Sequence, residues 1–177
     1  WKEVLQFLDF CLKRCQEVII IRGNHDPVLP AVVAKRGISM VKEYQVGQTL
    51  IIHGDALVKT DIRNIKRIII GHEHPAITLR EKSKREKYKC FLKGKWYQKA
   101  ELSGTSRNVK RFQKKGKELI AVPSFNPLLE GTDVLKEELL SPFLNDTNIG
   151  KFEVYVVGEQ KPLYFGKVKD LRKLKSE

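Results

Sequence analysis

The amino-acid sequence predicts a layered α/β domain in which mixed β-sheets are flanked by helices. Short apolar runs rich in β-branched residues, such as Val18–Ile21 and Ile68–Ile70, predict buried strands. A helical pattern accompanies them in residues 1–16, where apolar side chains recur every three or four positions. Helices interspersed with buried strands are typical of a layered α/β architecture, and they argue against a helical bundle.

The first half of the chain alternates helical and strand patterns. These are a helix at 1–16, a strand at 18–21, a short helix or loop at 31–35, a strand at 38–41, a hairpin of 44–46 and 49–53, a helix at 56–65 and a strand at 68–70. Gly47 and Gln48 lie between the two hairpin strands, where they predict a tight turn.

The second half is predicted to contain mainly strands. These are paired strands at 76–80 and 88–92, a strand at 119–122 and a terminal hairpin of 152–157 and 163–168, with a helix at 133–145 that Asp133 would cap. Residues 93–117 are polar and rich in lysine, which predicts a mobile excursion without regular structure. We therefore expect one domain at 1–168, followed by a charged, frayed tail at 169–177.

The overall composition is typical of a globular protein, with 41% apolar and 31% charged residues among 177. The longest apolar runs are too short to span a bilayer, so we expect no membrane partner. Three cysteines are an odd and sparse set, which favours a reducing compartment over a disulfide framework. We therefore expect a cytoplasmic protein.

Positive charge is concentrated in one segment. Residues 80–117 hold fifteen Lys or Arg and three Glu, a net +12 of the total +13. Clustered cations of this kind predict a polyanionic partner such as nucleic acid. The candidate contacts are Lys84, Arg85, Lys110, Arg111, Lys114 and Lys115. The alternative is a solvated loop whose aromatic residues pack back on the sheet.

Each of the four histidines lies just beyond a predicted strand. His25 belongs to Gly23–Asp26, His53 begins His53–Asp55, and His72 and His74 belong to Gly71–His74. In open α/β sheets, ligands collect at the carboxyl ends of the strands, and imidazole is a common metal ligand. We therefore predict a metal site at this edge, and we expect His72 and His74 to point to the same side of an extended segment.

These three motifs, in this order, resemble those of the calcineurin-like binuclear metallophosphoesterases. The later residues 123–127 and the terminal strands resemble the archaeal predicted phosphoesterases related to SbcD-type nucleases. The resemblance implies hydrolysis of phosphomonoesters or phosphodiesters, with nucleic acid or nucleotides as candidate substrates. The alternative is a non-catalytic scaffold or binding module built on the same fold.

The resemblance also implies a role for each motif residue. Asn24, His53 and His72 would ligate one divalent metal ion and His74 a second one, with Mn, Fe or Zn as candidate metals. His25 would face the substrate phosphate and help to protonate the leaving oxygen. Asp26 would orient His25, although a turn residue before Pro27 is an equally good interpretation.

Two motifs of that family, Asp-x-His and Gly-Asp-x-x-Asp/Asn, are absent from this chain. The helix at 1–16 resembles the one that follows the second motif, so the first two strands and their metal carboxylates would be missing. Three explanations are open: a piece of a longer polypeptide, the ordered part of one, or a divergent non-catalytic member. In the first two cases we expect this chain alone to be impaired, with only the Asn24/His53/His72 site occupied. A missing N-terminal segment or a second chain would complete the centre.

Overall fold

The computed structural model describes residues 1–81, 84–98 and 116–174, and it has a mixed α/β fold. Its helices are α1 (Lys2–Leu12), α2 (Leu29–Ala34), α3 (Pro142–Asn145) and α4 (Val168–Leu174), with a 3₁₀ turn at Ile149–Lys151. Its strands are β1 (Ile19–Ile21), β2 (Ser39–Val41), β3 (Glu43–Val46), β4 (Thr49–Ile52), β5 (Arg67–Ile70), β6 (Pro75–Glu81), β7 (Lys84–Trp96), β8 (Lys117–Ala121), β9 (Thr132–Asp133), β10 (Glu153–Val156) and β11 (Leu163–Lys167). The α/β class predicted from the sequence is confirmed.

One large sheet holds most of the strands that are described. Its order is β11-β10-β7-β8-β5-β4-β3, and β6 pairs with both β7 and the short β9. Within it β4, β5 and β8 run parallel, whereas the β3–β4, β6–β7, β7–β8 and β10–β11 pairs are antiparallel. The core of this sheet includes the fully buried side chains of Ile68, Ile70, Leu92 and Phe143.

A second, smaller unit contains α1, α2 and a two-stranded parallel sheet of β1 and β2. Its core is small and centres on Leu8, Val33 and Ile38. The predicted strand at 18–21 forms as β1, but its side chains are only partly buried because β2 is its sole neighbour among the described strands.

The predicted helix at 56–65 is wrong. The segment has no helix, and two carbonyl groups at its end have a partner elsewhere: the buried Lys117 ammonium group donates to Ile62 O at 2.6 Å and to Ile65 O at 2.8 Å. Asp61 starts a tight turn by accepting the Arg63 backbone N–H at 2.9 Å. The same arginine side chain lowers the pKa of Asp61 to about 2.

The predicted helix at 133–145 is also wrong in most of its length. Asp133 lies in β9, and the N–H groups of Lys136 and Glu137 close only one turn on its carbonyl before the helical pattern stops. The N–H groups of Leu140 and Ser141 donate instead to the Glu73 carboxylate. Only the short α3 forms further along.

Two segments contain more regular structure than the sequence predicted. Within the excursion at 93–117, β7 continues as far as the buried Trp96, and β8 begins at the buried Lys117. The tail forms α4 instead of fraying, because Val168 and Leu171 are one helical turn apart and both are buried. Residues 99–115 and 175–177 lie outside the described part. Among the helices that are described, none is long and apolar enough to cross a membrane.

The contact between Gly94 and Phe152 offers a test of this packing. A β-carbon on Gly94 would overlap the Phe152 ring, which is 1% exposed. We expect Gly94→Ala to lower the free energy of unfolding by about 1–3 kcal/mol, as overpacking does, in urea denaturation.

Two further variants complete that test. The neighbouring Lys95 is exposed, so Lys95→Ala should change stability by less than about 0.5 kcal/mol. In the double variant Gly94→Ala/Phe152→Leu the two effects should be less than additive, because the smaller leucine relieves the overlap. Strict additivity would contradict this description of the contact.

Candidate metal centre

The centre is assembled at the carboxyl ends of the parallel strands. The register aligns Ile52 of β4 with Ile70 of β5, so the residues that follow both strands emerge at one edge. His53 follows β4 directly, and its carbonyl oxygen accepts the backbone N–H groups of Gly71 and His72, each at 2.8 Å. The two histidine loops are therefore joined through their backbones.

The loop after β1 brings Asn24 to the same place. Asp26 Oδ2 accepts the Gly23 backbone N–H at 3.0 Å and closes this loop. A β-carbon on Gly23 would lie 2.8 Å from Asp26 Oδ2 and 3.2 Å from the His53 ring, so glycine permits the close approach of loop and ring.

Three of the predicted ligands come together. Asn24 Oδ1 lies 2.9 Å from His53 Nε2, and His53 Nε2 lies 3.1 Å from His72 Nδ1. The two imidazole rings are 5.0 Å apart between centroids and meet at 70°. Ions such as Zn²⁺ bind imidazole nitrogen at about 2.0–2.1 Å, which puts two ligands at about 90° roughly 3.0 Å apart. The two distances from His53 Nε2 therefore fit donors that share a single ion.

The three donor groups are two imidazole rings and one side-chain amide. The described residues contain no group of three or more His, Cys, Asp or Glu side chains that could hold a metal ion, and the third donor here is the amide oxygen of Asn24. Burial lowers the pKa of both His53 and His72. A lowered pKa favours the uncharged ring, which is the form of imidazole that binds metals.

The backbone turns before His74. Residues 72 and 73 form a turn, and His74 has a φ of 47°, so the segment is not extended as the sequence suggested. The His74 carbonyl accepts the Thr132 N–H at 3.0 Å, which fixes the entry into β6. Burial, together with the charges of His72 and Lys89, lowers the pKa of the His74 ring.

His25 and Asp26 occupy the outer side of the centre. The His25 ring is exposed, and its Nε2 lies 3.3 Å from Asn24 Nδ2. The Asp26 carboxylate is bound to the Gly23 N–H, as in the interpretation of Asp26 as a turn residue. Its negative charge also acts on His53, where it opposes the lowering of the pKa.

The basic segment divides into two parts with different surroundings. Lys84 and Arg85 are exposed at the end of the β6–β7 hairpin. Lys87 and Lys89 instead contact the 124–131 loop: Lys87 Nζ donates to Gly131 O at 3.0 Å, and Lys89 Nζ donates to Ser124 O at 3.1 Å and to Asn126 O. The other candidate contacts, Lys110, Arg111, Lys114 and Lys115, lie outside the described residues.

One residue that supports the centre, Glu73, was not identified from the sequence. Glu73 lies between the two histidines but is fully buried, and its Oε2 accepts the N–H groups of Leu140 and Ser141, each at 2.9 Å. Burial raises the pKa of this carboxyl, and the two N–H groups and the Thr132 hydroxyl oppose that rise. Its burial depends on contacts with a segment 67 residues away, so the local sequence carries no signal for it.

No family model, curated protein or solved structure matches this chain. The candidate centre therefore rests on its own geometry.

The geometry predicts unequal roles for the histidines in metal binding. His53→Ala and His72→Ala should each weaken Co²⁺ binding at least about tenfold, because each removes a donor from the three-atom group. His74→Ala should leave the affinity of this site close to that of the unaltered chain. Calorimetric titration with Co²⁺ measures all three, and an equal loss for His74→Ala would contradict the assignment of the ligands.

Proposed function

We propose that this chain belongs to a metal-dependent phosphoesterase that hydrolyses phosphomonoesters or phosphodiesters. The observation that carries the proposal is a group of donor atoms beyond the sheet edge, in which His53 Nε2 lies 2.9 Å from Asn24 Oδ1 and 3.1 Å from His72 Nδ1. The resemblance of the three motifs to the calcineurin-like metallophosphoesterases supports the same reaction.

Asn24, His53 and His72 would hold one divalent ion, with Mn, Fe or Zn as the candidate metals. His74 would hold a second ion with carboxylates from an additional N-terminal segment or a second chain. Bound at this edge, two such ions would polarise the phosphate ester and supply hydroxide as the nucleophile.

The residues of the chain itself would bind and orient the ester. His25 is exposed and its Nε2 is 3.3 Å from the Asn24 side chain, so a phosphate at the metal edge comes within reach of its ring. A protonated His25 would donate its proton to the leaving oxygen. Asp26 would hold the loop closed through Gly23 and so keep His25 at this edge.

Nucleic acid or nucleotides are the substrate class that we favour, because Lys84 and Arg85 present exposed cations on the same long hairpin that begins after His74. We also infer a cytoplasmic location. Its support is the odd and sparse set of three cysteines, which favours a reducing compartment over a disulfide framework.

A non-catalytic binding module on the same scaffold is the second candidate. The observation that favours it is exposed apolar surface: Phe7 and Phe125 are 48% and 85% exposed with ring centroids 5.3 Å apart, and Leu128 is 87% exposed. Exposed apolar patches of this kind are typical of protein contacts. The exposed His25 beside the donor group favours the enzyme, since a binding module has no need of a proton donor there.

Substitution of His25 tests the catalytic proposal. In the longest polypeptide that its gene encodes, we expect His25→Ala to lower the Mn²⁺-dependent turnover of bis-p-nitrophenyl phosphate by about 10²–10⁴-fold, the usual contribution of a general acid. Its metal affinity should stay unchanged, since His25 is not a ligand. Unchanged turnover, or activity that survives a chelator, would reject the proposal.

Charge reversal at the hairpin tests the substrate class. Lys84→Glu/Arg85→Glu should weaken binding of a fluorescent single-stranded DNA and lower the slope of log K against log salt by about 1–2, since each lost phosphate contact contributes about 0.7. The matched control is Lys35→Glu/Lys59→Glu, at two lysines that are also exposed. Equal losses in both double variants would show that net charge alone attracts DNA.

A further inference from the structure

We propose that Glu73 is a positioning residue, which sets the separation of the two histidine loops by holding the segment 140–141 between them. The inference rests on the proposed function, because it assigns a role at the Asn24/His53/His72 metal site. Glu73 is not assigned as a ligand: its carboxylate points away from solvent and into the protein.

The surroundings of Glu73 are unusual for an acidic side chain. It is fully buried, and no Lys or Arg forms a salt bridge with it among the described residues. Its Oε2 accepts two backbone N–H groups at 2.9 Å, from Leu140 and Ser141. The Thr132 hydroxyl also acts on the carboxylate, whereas the buried Oε1 has no hydrogen-bond partner in the described part of the chain. Burying an acid in this way is costly, and an apolar residue would fill the same space at lower cost. An apolar residue cannot supply an oxygen that accepts both backbone N–H groups, and we call this role of Oε2 the double acceptor.

The segment that Glu73 holds also reaches the other histidine loop. The fully buried Ser141 hydroxyl donates to Gly54 O at 2.7 Å, and Gly54 directly follows His53. One short segment therefore connects the residue between His72 and His74 with the residue after His53. We call this connection, formed by Glu73, Leu140, Ser141 and Gly54, the Glu73 clamp.

The Glu73 clamp and the direct backbone contacts both constrain the distance between the loop of His53 and the loop of His72. His53 O accepts the N–H groups of Gly71 and His72, which joins the loops at their bases. The clamp joins the loops a second time through the segment 140–141. In the sequence, Leu140 is 67 residues from Glu73, and Ser141 is 87 residues from Gly54. With two connections the loops resist both separation and rotation, so the 3.1 Å between His53 Nε2 and His72 Nδ1 is preserved without an ion. Loss of one connection should therefore weaken metal binding without removing a ligand.

Substitutions at Glu73 separate this role from simple burial. Glu73→Ala removes the acceptor and should weaken Co²⁺ binding by about 10–100-fold, the range for residues that orient metal ligands. Glu73→Gln keeps an oxygen that accepts both N–H groups, so its Co²⁺ affinity should stay within a few fold of that of the unaltered chain. Ser141→Ala removes only the hydrogen bond to Gly54 O, so its Co²⁺ affinity should lie between those of the two Glu73 variants. Glu138→Ala, at an exposed glutamate, is the matched control and should have no effect.

Calorimetry and the visible spectrum of bound Co²⁺ are the readouts, and the spectrum reports distortion of the ligand set that a change in stability alone does not produce. Unchanged affinity and spectrum in Glu73→Ala would overturn the inference. So would a Glu73→Gln variant as weak as Glu73→Ala, because the double acceptor would then not be the cause.

If Glu73→Ala does not fold, the unaltered chain provides the test by hydrogen exchange. Coupling between two sites is reciprocal, so Co²⁺ should slow exchange at the amides of Leu140 and Ser141. No change in their protection on saturation with Co²⁺ would overturn the inference.

Failure of the proposed metal site has a different signature. If the unaltered chain binds no Co²⁺, the proposed function is wrong, and the clamp is then tested without metal. The ring signals of His53 and His72 in NMR spectra should move in Glu73→Ala and stay in place in Glu138→Ala. Ring signals unchanged in both variants would reject the clamp.

Discussion

The parallel register of β4, β5 and β8 is the constraint on which the rest of this structure depends. Ile52, Ile70 and Ala121 end their strands side by side, so three separate stretches of chain turn at a single edge. Parallel strands need crossover connections, and these connections carry the groups that surround the centre. On one face of these strands the aligned residues Leu50, Ile68 and Leu119 are at most 3% exposed, which resists sliding of one strand along another.

Buried polar side chains complete what the sheet begins. The Lys117 ammonium group satisfies two carbonyl groups of the 62–65 segment, and the Glu73 carboxylate satisfies two N–H groups of the 140–141 segment. Each replaces the backbone hydrogen bonds that a helix would have supplied there. The two segments therefore stay irregular and are still bound to the sheet, one at its amino edge and the other at its carboxyl edge.

The same two side chains explain where prediction from the sequence succeeded and where it could not. Strands were predicted well because β-branched runs such as Ile68–Ile70 encode their structure locally, as does the turn at Gly47, whose φ is 55°. The helices expected at 56–65 and 133–145 have suitable local patterns, but side chains more than 50 residues away bind their backbone groups. The meeting of His53 and His72 follows from strand ends and parallel pairing, which sequence patterns indicate. Asn24 follows β1 of the separate small sheet, so its approach to His53 does not follow from that pairing. The turn at His74 and the burial of Glu73 depend on contacts with β9 and the 140–141 segment, and no local pattern encodes them.

The small sheet of β1 and β2 is a separate sheet, yet its loop carries Asn24 to within 2.9 Å of His53, a residue 29 positions away that extends from the large sheet. An ion shared by the two residues would act as a removable cross-link between the two sheets. Like any ligand that binds only the folded state, it would add RT ln(1 + [L]/Kd) to stability. That gain would fall mainly on the smaller unit, whose core around Leu8, Val33 and Ile38 is the weaker of the two. Metal concentration would then govern how often this unit detaches and exposes its backbone to proteases.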